Sequence, residues 1–180
     1  DFIRAKLNTN NNNLEMTNLG KMSNYGFNGE VRYSYKQALT AGINMTYQNI
    51  RNQTKYVEGK QTISSNYKDR IPNLPYLFGN ADCSLFFNNV GQKGNRLAFG
   101  YNLLFVYKYY LRWPSDGLSS SKSNIPTQLS QDVNVTYSLN EGRYNIALEC
   151  RNILNENLYD NFSLQKPGRN FSLKFRYFIQ

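Results

Sequence analysis

The feature that most constrains the fold of this chain is a strict alternation of apolar and polar residues. From Leu97 the odd positions read Leu97, Phe99, Tyr101, Leu103, Phe105, Tyr107, Tyr109, Leu111 and Trp113. The even positions read Ala98, Gly100, Asn102, Leu104, Val106, Lys108, Tyr110 and Arg112. A strand turns successive side chains to opposite faces, so this run gives one apolar face and one mostly small or polar face. A helix, with its period of about 3.6 residues, would scatter both sets around its circumference.

The pattern recurs along the chain. Tyr25, Phe27, Val31, Tyr33 and Tyr35 oppose Asn28, Glu30, Arg32, Ser34 and Lys36. Ile43, Met45 and Tyr47 oppose Gly42, Asn44, Thr46 and Gln48, and Ala81, Cys83, Leu85 and Phe87 oppose Asp82, Ser84, Phe86 and Asn88. Val133, Val135, Tyr137 and Leu139 oppose Asp132, Asn134, Thr136 and Ser138. Tyr144, Ile146, Leu148 and Cys150 oppose Arg143, Asn145, Ala147, Glu149 and Arg151. Phe171, Leu173, Phe175, Tyr177 and Ile179 oppose Asn170, Ser172, Lys174, Arg176 and Phe178. With a less regular segment from Phe2 to Leu7, the reading is an all-β chain of about eight antiparallel strands. Most exceed the usual five or six residues of a globular strand, and a tilted strand needs about 9–11 to cross a bilayer.

The connections alternate too. Short turns are expected near Gln37–Thr40, Gln92–Asn95 and Leu139–Gly142, the Gly91–Gly94 stretch being a turn feature. Long segments are expected near Tyr56–Pro75, Pro114–Pro126 and Glu156–Gly168. Outer-membrane barrels show this asymmetry, with short periplasmic turns and longer outer loops. With Gln180 on the periplasmic side, every short turn falls on that side as well.

Alternation alone also fits a soluble sandwich or barrel, whose apolar face points inward. The chemistry of the faces favours a membrane barrel. The polar face mixes Arg, Lys, Glu, Asp, Asn and Ser with Gly and Ala, as a wet or plugged lumen requires, and the apolar face carries Tyr and Phe near strand ends, as interfacial girdles do. No apolar run approaches the roughly 18 residues of a spanning helix. Overall polarity is no objection, because a membrane barrel hides its apolar residues at every second position.

The formal charge of +9 raises nucleic acid as a partner. The Lys and Arg are dispersed, and the aromatics do not share a face with them as they do on an RNA-binding sheet, so no nucleic acid is expected. The chain has no His and only two cysteines, Cys83 and Cys150. No metal signature or cofactor is therefore expected, nor an enzyme, since a nucleophile would lack its base. The cysteines fall on non-adjacent strands of the apolar face and are read as small lipid-facing residues without a disulfide. The chain opens on Asp1 rather than Met, so a processed or partial product is expected.

Several short motifs carry a family resemblance. Arg151-Asn152-Ile153-Leu154-Asn155, followed by Tyr159, resembles the end of the penultimate strand of TonB-dependent outer-membrane receptors. Pro167-Gly168-Arg169-Asn170-Phe171 resembles the start of their final strand, which here ends Phe175-Arg176-Tyr177-Phe178-Ile179-Gln180. Upstream, Asn18-Leu19-Gly20-Lys21 with Tyr25-Gly26-Phe27-Asn28-Gly29-Glu30, and Ile71-Pro72-Asn73-Leu74-Pro75, resemble two further family stretches. The style resembles receptors of Bacteroides-like bacteria.

The resemblance implies that residues 1–180 are the C-terminal segment of a larger barrel without its plug domain, since such receptors have about 22 strands. It implies import of a scarce nutrient, such as a ferric siderophore, another metal chelate or cobalamin. The implied partners are outer-membrane lipid, the rest of the barrel, the plug and, through the plug, TonB. Phe171, Phe175, Tyr177 and Phe178 would form the C-terminal strand that the insertion machinery recognises. Arg32, Lys36, Lys108, Arg143, Arg151, Lys174 and Arg176, with Arg112, are candidates for the lumen, where they would either attract an anionic ligand or pair with plug carboxylates. Tyr67, Lys68, Arg70, Arg112 and Trp113 are candidate ligand contacts in outer loops; Trp113 fits a girdle equally well. Two other readings stand beside this one: a complete eight-stranded outer-membrane protein acting as adhesin or anchor, and a soluble β-barrel that binds an apolar ligand.

Overall fold

The computed structural model describes residues 3–8, 13–18, 20–57, 60–115, 124–160 and 163–179. These residues are all-β, with no helix among them. The strands are β1 (Ile3–Asn8), β2 (Asn13–Asn18), β3 (Met22–Tyr35), β4 (Leu39–Asn52), β5 (Leu77–Asn88) and β6 (Arg96–Val106), then β7 (Tyr109–Tyr110), β8 (Asn124–Ile125), β9 (Gln128–Leu139), β10 (Tyr144–Arg151) and β11 (Asn170–Tyr177). Seven of them form one antiparallel sheet in the order β11-β10-β9-β6-β5-β4-β3. The sheet is open: β3 and β11 are its edges and do not pair with each other. β1 with β2, and β7 with β8, make two separate two-stranded pairs.

The eight expected segments are found, with three corrections. The first strand is Ile3–Asn8, and Phe2 lies outside the described residues. β2, in which Leu14 and Met16 alternate with Glu15 and Thr17, was not expected. The long run from Leu97 to Trp113 is two strands, because β6 ends at Val106. Its neighbours dictate the break: β9 begins at Gln128, opposite Val106, and β5 at Leu77, whose carbonyl accepts from Tyr107 N at 2.9 Å, so beyond Tyr107 no flanking strand remains on either side. Tyr109 and Tyr110 pair instead with Ile125 and Asn124 inside the loop.

The register converts the alternation into two faces. One transverse row reads Tyr33, Ala41, Cys83, Tyr101, Val133, Cys150, Phe171 from β3 to β11. The next reads Ser34, Thr40, Ser84, Gly100, Asn134, Glu149, Ser172, and the one after it Tyr35, Leu39, Leu85, Phe99, Val135, Leu148, Leu173. In these three rows apolar and polar sets alternate across all seven strands; elsewhere Phe78, Phe86, Leu104 and Val106 fall on the polar face and Gln131 on the apolar one. A one-residue slip anywhere would move a strand's whole apolar set to the wrong face.

Among the described residues no second layer covers either face. Phe27, Val31, Tyr33, Leu148, Phe171, Leu173 and Phe175 are all more than half exposed. Buried apolar residues are few: Cys150 on β10, and Ile71, Tyr109 and Ile125, which lie in the long connections or their short strands. The packed core of the described residues therefore sits among the loops at one end of the sheet.

The three tight turns lie together at the other end. Residues 36–38 join β3 to β4, residues 89–95 join β5 to β6, and residues 140–143 join β9 to β10. β11 ends there too, with Tyr177 opposite Tyr144. The turn ends are staggered in one direction. The row that closes the first hairpin at Tyr35 and Leu39 passes through Leu85, three residues before the closing pair Asn88 and Arg96; the row of that pair passes through Ser138, one residue before the third closing pair, Leu139 and Tyr144. Strands tilted against a common axis give this staircase.

Candidate functional site

Of the charged candidates, the polar face of the sheet holds Arg32, Arg151, Lys174 and Arg176, and the sheet supplies some of their partners. Glu149 on β10 accepts hydrogen bonds from Arg151 Nε at 2.9 Å, Lys174 Nζ at 2.7 Å and Ser172 Oγ at 3.1 Å. Arg32 pairs with Glu30 on its own strand. Arg176 lies 5.9 Å from the ring of Phe178. Lys36, Lys108 and Arg143 are not on the strand face: Lys36 and Arg143 sit in tight turns, and Lys108 stands just past β6. Arg143 donates to the Tyr177 hydroxyl at 3.0 Å and faces its ring, which stacks on Tyr144. Arg96 belongs to the polar face and was missed among the candidates. It covers the ring of Phe86 at 4.1 Å, which explains a large apolar residue there. Gln37, Thr40 and Asn88 line an open hollow of about 510 Å³ with these two.

Small residues on this face make room for large neighbours. A Cβ on Gly100 would lie 2.5 Å from Asn134 Nδ2, so the Asn134 amide crosses the sheet only over a glycine.

The long connections interlock rather than dangle. Asn73 N donates to Tyr110 O at 2.7 Å and Ser115 N to Asp69 Oδ2 at 2.8 Å, tying the β4–β5 loop to the β6–β9 loop. This brings the two groups of candidate contacts, Tyr67, Lys68 and Arg70 on one side and Arg112 and Trp113 on the other, onto one platform. Lys68 stands over the Tyr67 ring, and Arg70 stacks 3.9 Å from the Tyr76 ring. Tyr76 meets Tyr107 edge-on at 5.6 Å. Tyr76, Lys108, Tyr109, Tyr110 and Asn124 line a cavity of about 70 Å³. Burial, reinforced by Asp160, raises the Tyr109 hydroxyl above the ordinary tyrosine pKa. Two polar atoms in this cap, Arg70 Nη1 and Asn73 Oδ1, are buried without a hydrogen-bond partner.

The Arg-Asn-Ile-Leu-Asn segment owes its residues to backbone geometry. Asn152 has φ 50° and Asn155 φ 57°. Asn tolerates this left-handed region better than most residues. Asn152 accepts from Glu156 N at 2.9 Å and donates to Glu156 O at 2.8 Å, closing the turn after β10. Its own N–H donates to Asp132 Oδ1 at 2.8 Å, and Asn155 Oδ1 accepts from Arg169 N at 2.9 Å, just before β11. The motif thus fixes how β9, β10 and β11 meet.

Cys83 and Cys150 occupy one transverse apolar row, three strand spacings apart, about 14 Å, and both are thiols. A disulfide needs Cα atoms within about 7 Å.

No helix among the described residues is long and apolar enough to cross a membrane, and no cluster of three or more metal-ligating side chains occurs among them. The chain matches no protein-family model and no curated protein.

Proposed function

We propose that this chain is a wall segment of an outer-membrane β-barrel, the C-terminal part of a TonB-dependent receptor that imports a scarce nutrient such as a metal chelate or cobalamin. One observation carries the reading: the apolar rows register across all seven strands and stay uncovered. Full burial of a large apolar side chain is worth about 1.5–3 kcal/mol, and each of these, more than half exposed, forfeits more than half of it. Seven such residues alone are comparable with the whole stability of a typical domain, about 5–15 kcal/mol. A hydrocarbon surround removes that deficit. The staggered turns, the loop asymmetry and the open edges of β3 and β11 fit a piece of a larger closed barrel.

In this reading the platform of long loops faces outward, the tight turns face the periplasm, and the polar face lines the lumen. Arg32, Arg151 and Lys174 contribute a wall whose charges are partly met by Glu30 and Glu149, leaving Arg96 and Arg176 for a plug or an anionic ligand. The test is fractionation of native membranes. The chain should resist carbonate washing, need detergent for release, and co-purify with the remaining strands and plug. Release by aqueous buffer alone contradicts the proposal. A heat-modifiable closed barrel made of this chain alone would favour the small adhesin or anchor instead.

A further inference from the structure

Resting on the receptor reading, we propose that the nutrient is an anionic metal chelate with a free carboxylate, and that Lys108, Tyr110, Tyr76 and Asn124 receive this carboxylate in the small cavity of the loop platform. Phe78 and Val106 stand opposite each other on the polar face. Tyr76 lies two residues before the one and Lys108 two after the other, so both continue that side past the strand ends, where Tyr107 N still donates to Leu77 O. Tyr110 and Asn124 are a cross-strand pair of β7 and β8. The cavity that these four line with Tyr109 measures about 70 Å³.

The lining is rich in donors and contains no carboxylate. An ammonium carries three N–H donors and no acceptor, a phenol one donor and an amide two. None of the three ion pairs among the described residues involves Lys108, whose Nζ stands 6.0 Å from the Tyr107 ring. Tyr109 is 3% exposed and feels the charge of Asp160, so it serves as wall and not as donor. The other walls are set before a ligand arrives. Tyr76 meets Tyr107 edge-on and is held by Arg70, stacked 3.9 Å from its ring. Tyr110 O accepts from Asn73 N at 2.7 Å, and Lys108 N donates to Thr127 Oγ1 at 3.3 Å. Donors fixed in advance lower the cost of binding. Volume then selects the anion. A benzene ring occupies a cavity of about 150 Å³, twice what this one offers, so a catecholate ring does not enter and a corrin macrocycle still less. A carboxylate does, and a charge-assisted contact with the ammonium holds it.

The test is calorimetric titration of the detergent-extracted assembly with three probes: iron(III) citrate, an iron(III) tris-catecholate and cyanocobalamin. The citrate complex should bind, and the other two should bind roughly tenfold more weakly or not at all. Lys108→Gln should weaken citrate binding roughly tenfold or more, the worth of a lost charge-assisted contact. Tyr110→Phe, which keeps the ring and removes only the hydroxyl, should weaken it roughly threefold. Lys93→Gln removes the same charge in the tight turn between β5 and β6 and should leave binding unchanged. Folding of each variant is checked by heat-modifiable migration. Undiminished binding by folded Lys108→Gln, or an equal loss in Lys93→Gln, overturns the site. Preference for the catecholate or cobalamin overturns the carboxylate assignment and leaves the receptor reading standing. Release of the chain without detergent would instead overturn the receptor reading itself.

Discussion

Asn152 shows how much a single side chain does here. It is only 3% exposed, sits at φ 50°, and closes the turn after β10 with two hydrogen bonds to Glu156. Asn152→Ala removes both bonds and puts a less tolerant residue in the left-handed region. We expect a loss of about 2–3 kcal/mol, read as a lower urea midpoint in detergent. Asn152→Gly, which keeps the backbone conformation, should cost less than the alanine. Tyr109 makes a second prediction. Its folded pKa is raised by burial, so the neutral phenol belongs to the packed loops. Their stability is complete below the ordinary tyrosine pKa of 10.0 and falls as pH climbs from there through the raised value. The protection factors of residues 107–110, taken relative to the base-catalysed intrinsic exchange rate, should therefore fall only in strong alkali, and Tyr109→Phe should blunt that fall.

Among elements, the tight turns are coupled. Asn95 donates to the Tyr137 hydroxyl at 3.2 Å and accepts from Asn140 N at 3.1 Å, and Tyr137 donates to Val90 O at 2.9 Å. This ties the β5–β6 turn to the β9–β10 turn across the sheet. Asn95→Ala should speed amide exchange in residues 140–143 and leave the first hairpin, Met22–Asn52, unchanged. Uniform exchange across all three turns would contradict the coupling. The strands themselves were legible because period two is a property of adjacent residues. Where β6 stops was not, because the alternation runs on to Trp113 while the pairing partners end at Phe78 and Gln128. The partners of the polar-face cations were hidden for a similar reason. Glu149 meets Lys174 only through a register formed across a long loop. The Asn-rich turns were visible as a motif, but their left-handed backbone was not.

At the scale of the whole molecule, one relation decides the account: which medium touches which face. The sequence predicted two chemically distinct faces, and the register carries them from β3 to β11, with Phe78, Phe86, Leu104 and Val106 as apolar exceptions on the polar face and Gln131 as a polar one on the apolar face. The buried apolar residues cluster chiefly among the loops, so the sheet holds no interior of its own. The direct measurement is collision accessibility of spin labels placed singly along β3 and β11 in native membranes, in a Cys83→Ala, Cys150→Ala background. The account predicts that Val31, Tyr33, Leu173 and Phe175 are reached by oxygen dissolved in lipid, while Arg32, Ser34, Ser172 and Lys174 are not, with a period of two along each strand. Equal access of a water-soluble quencher to both sets, or the inverse pattern, would contradict it.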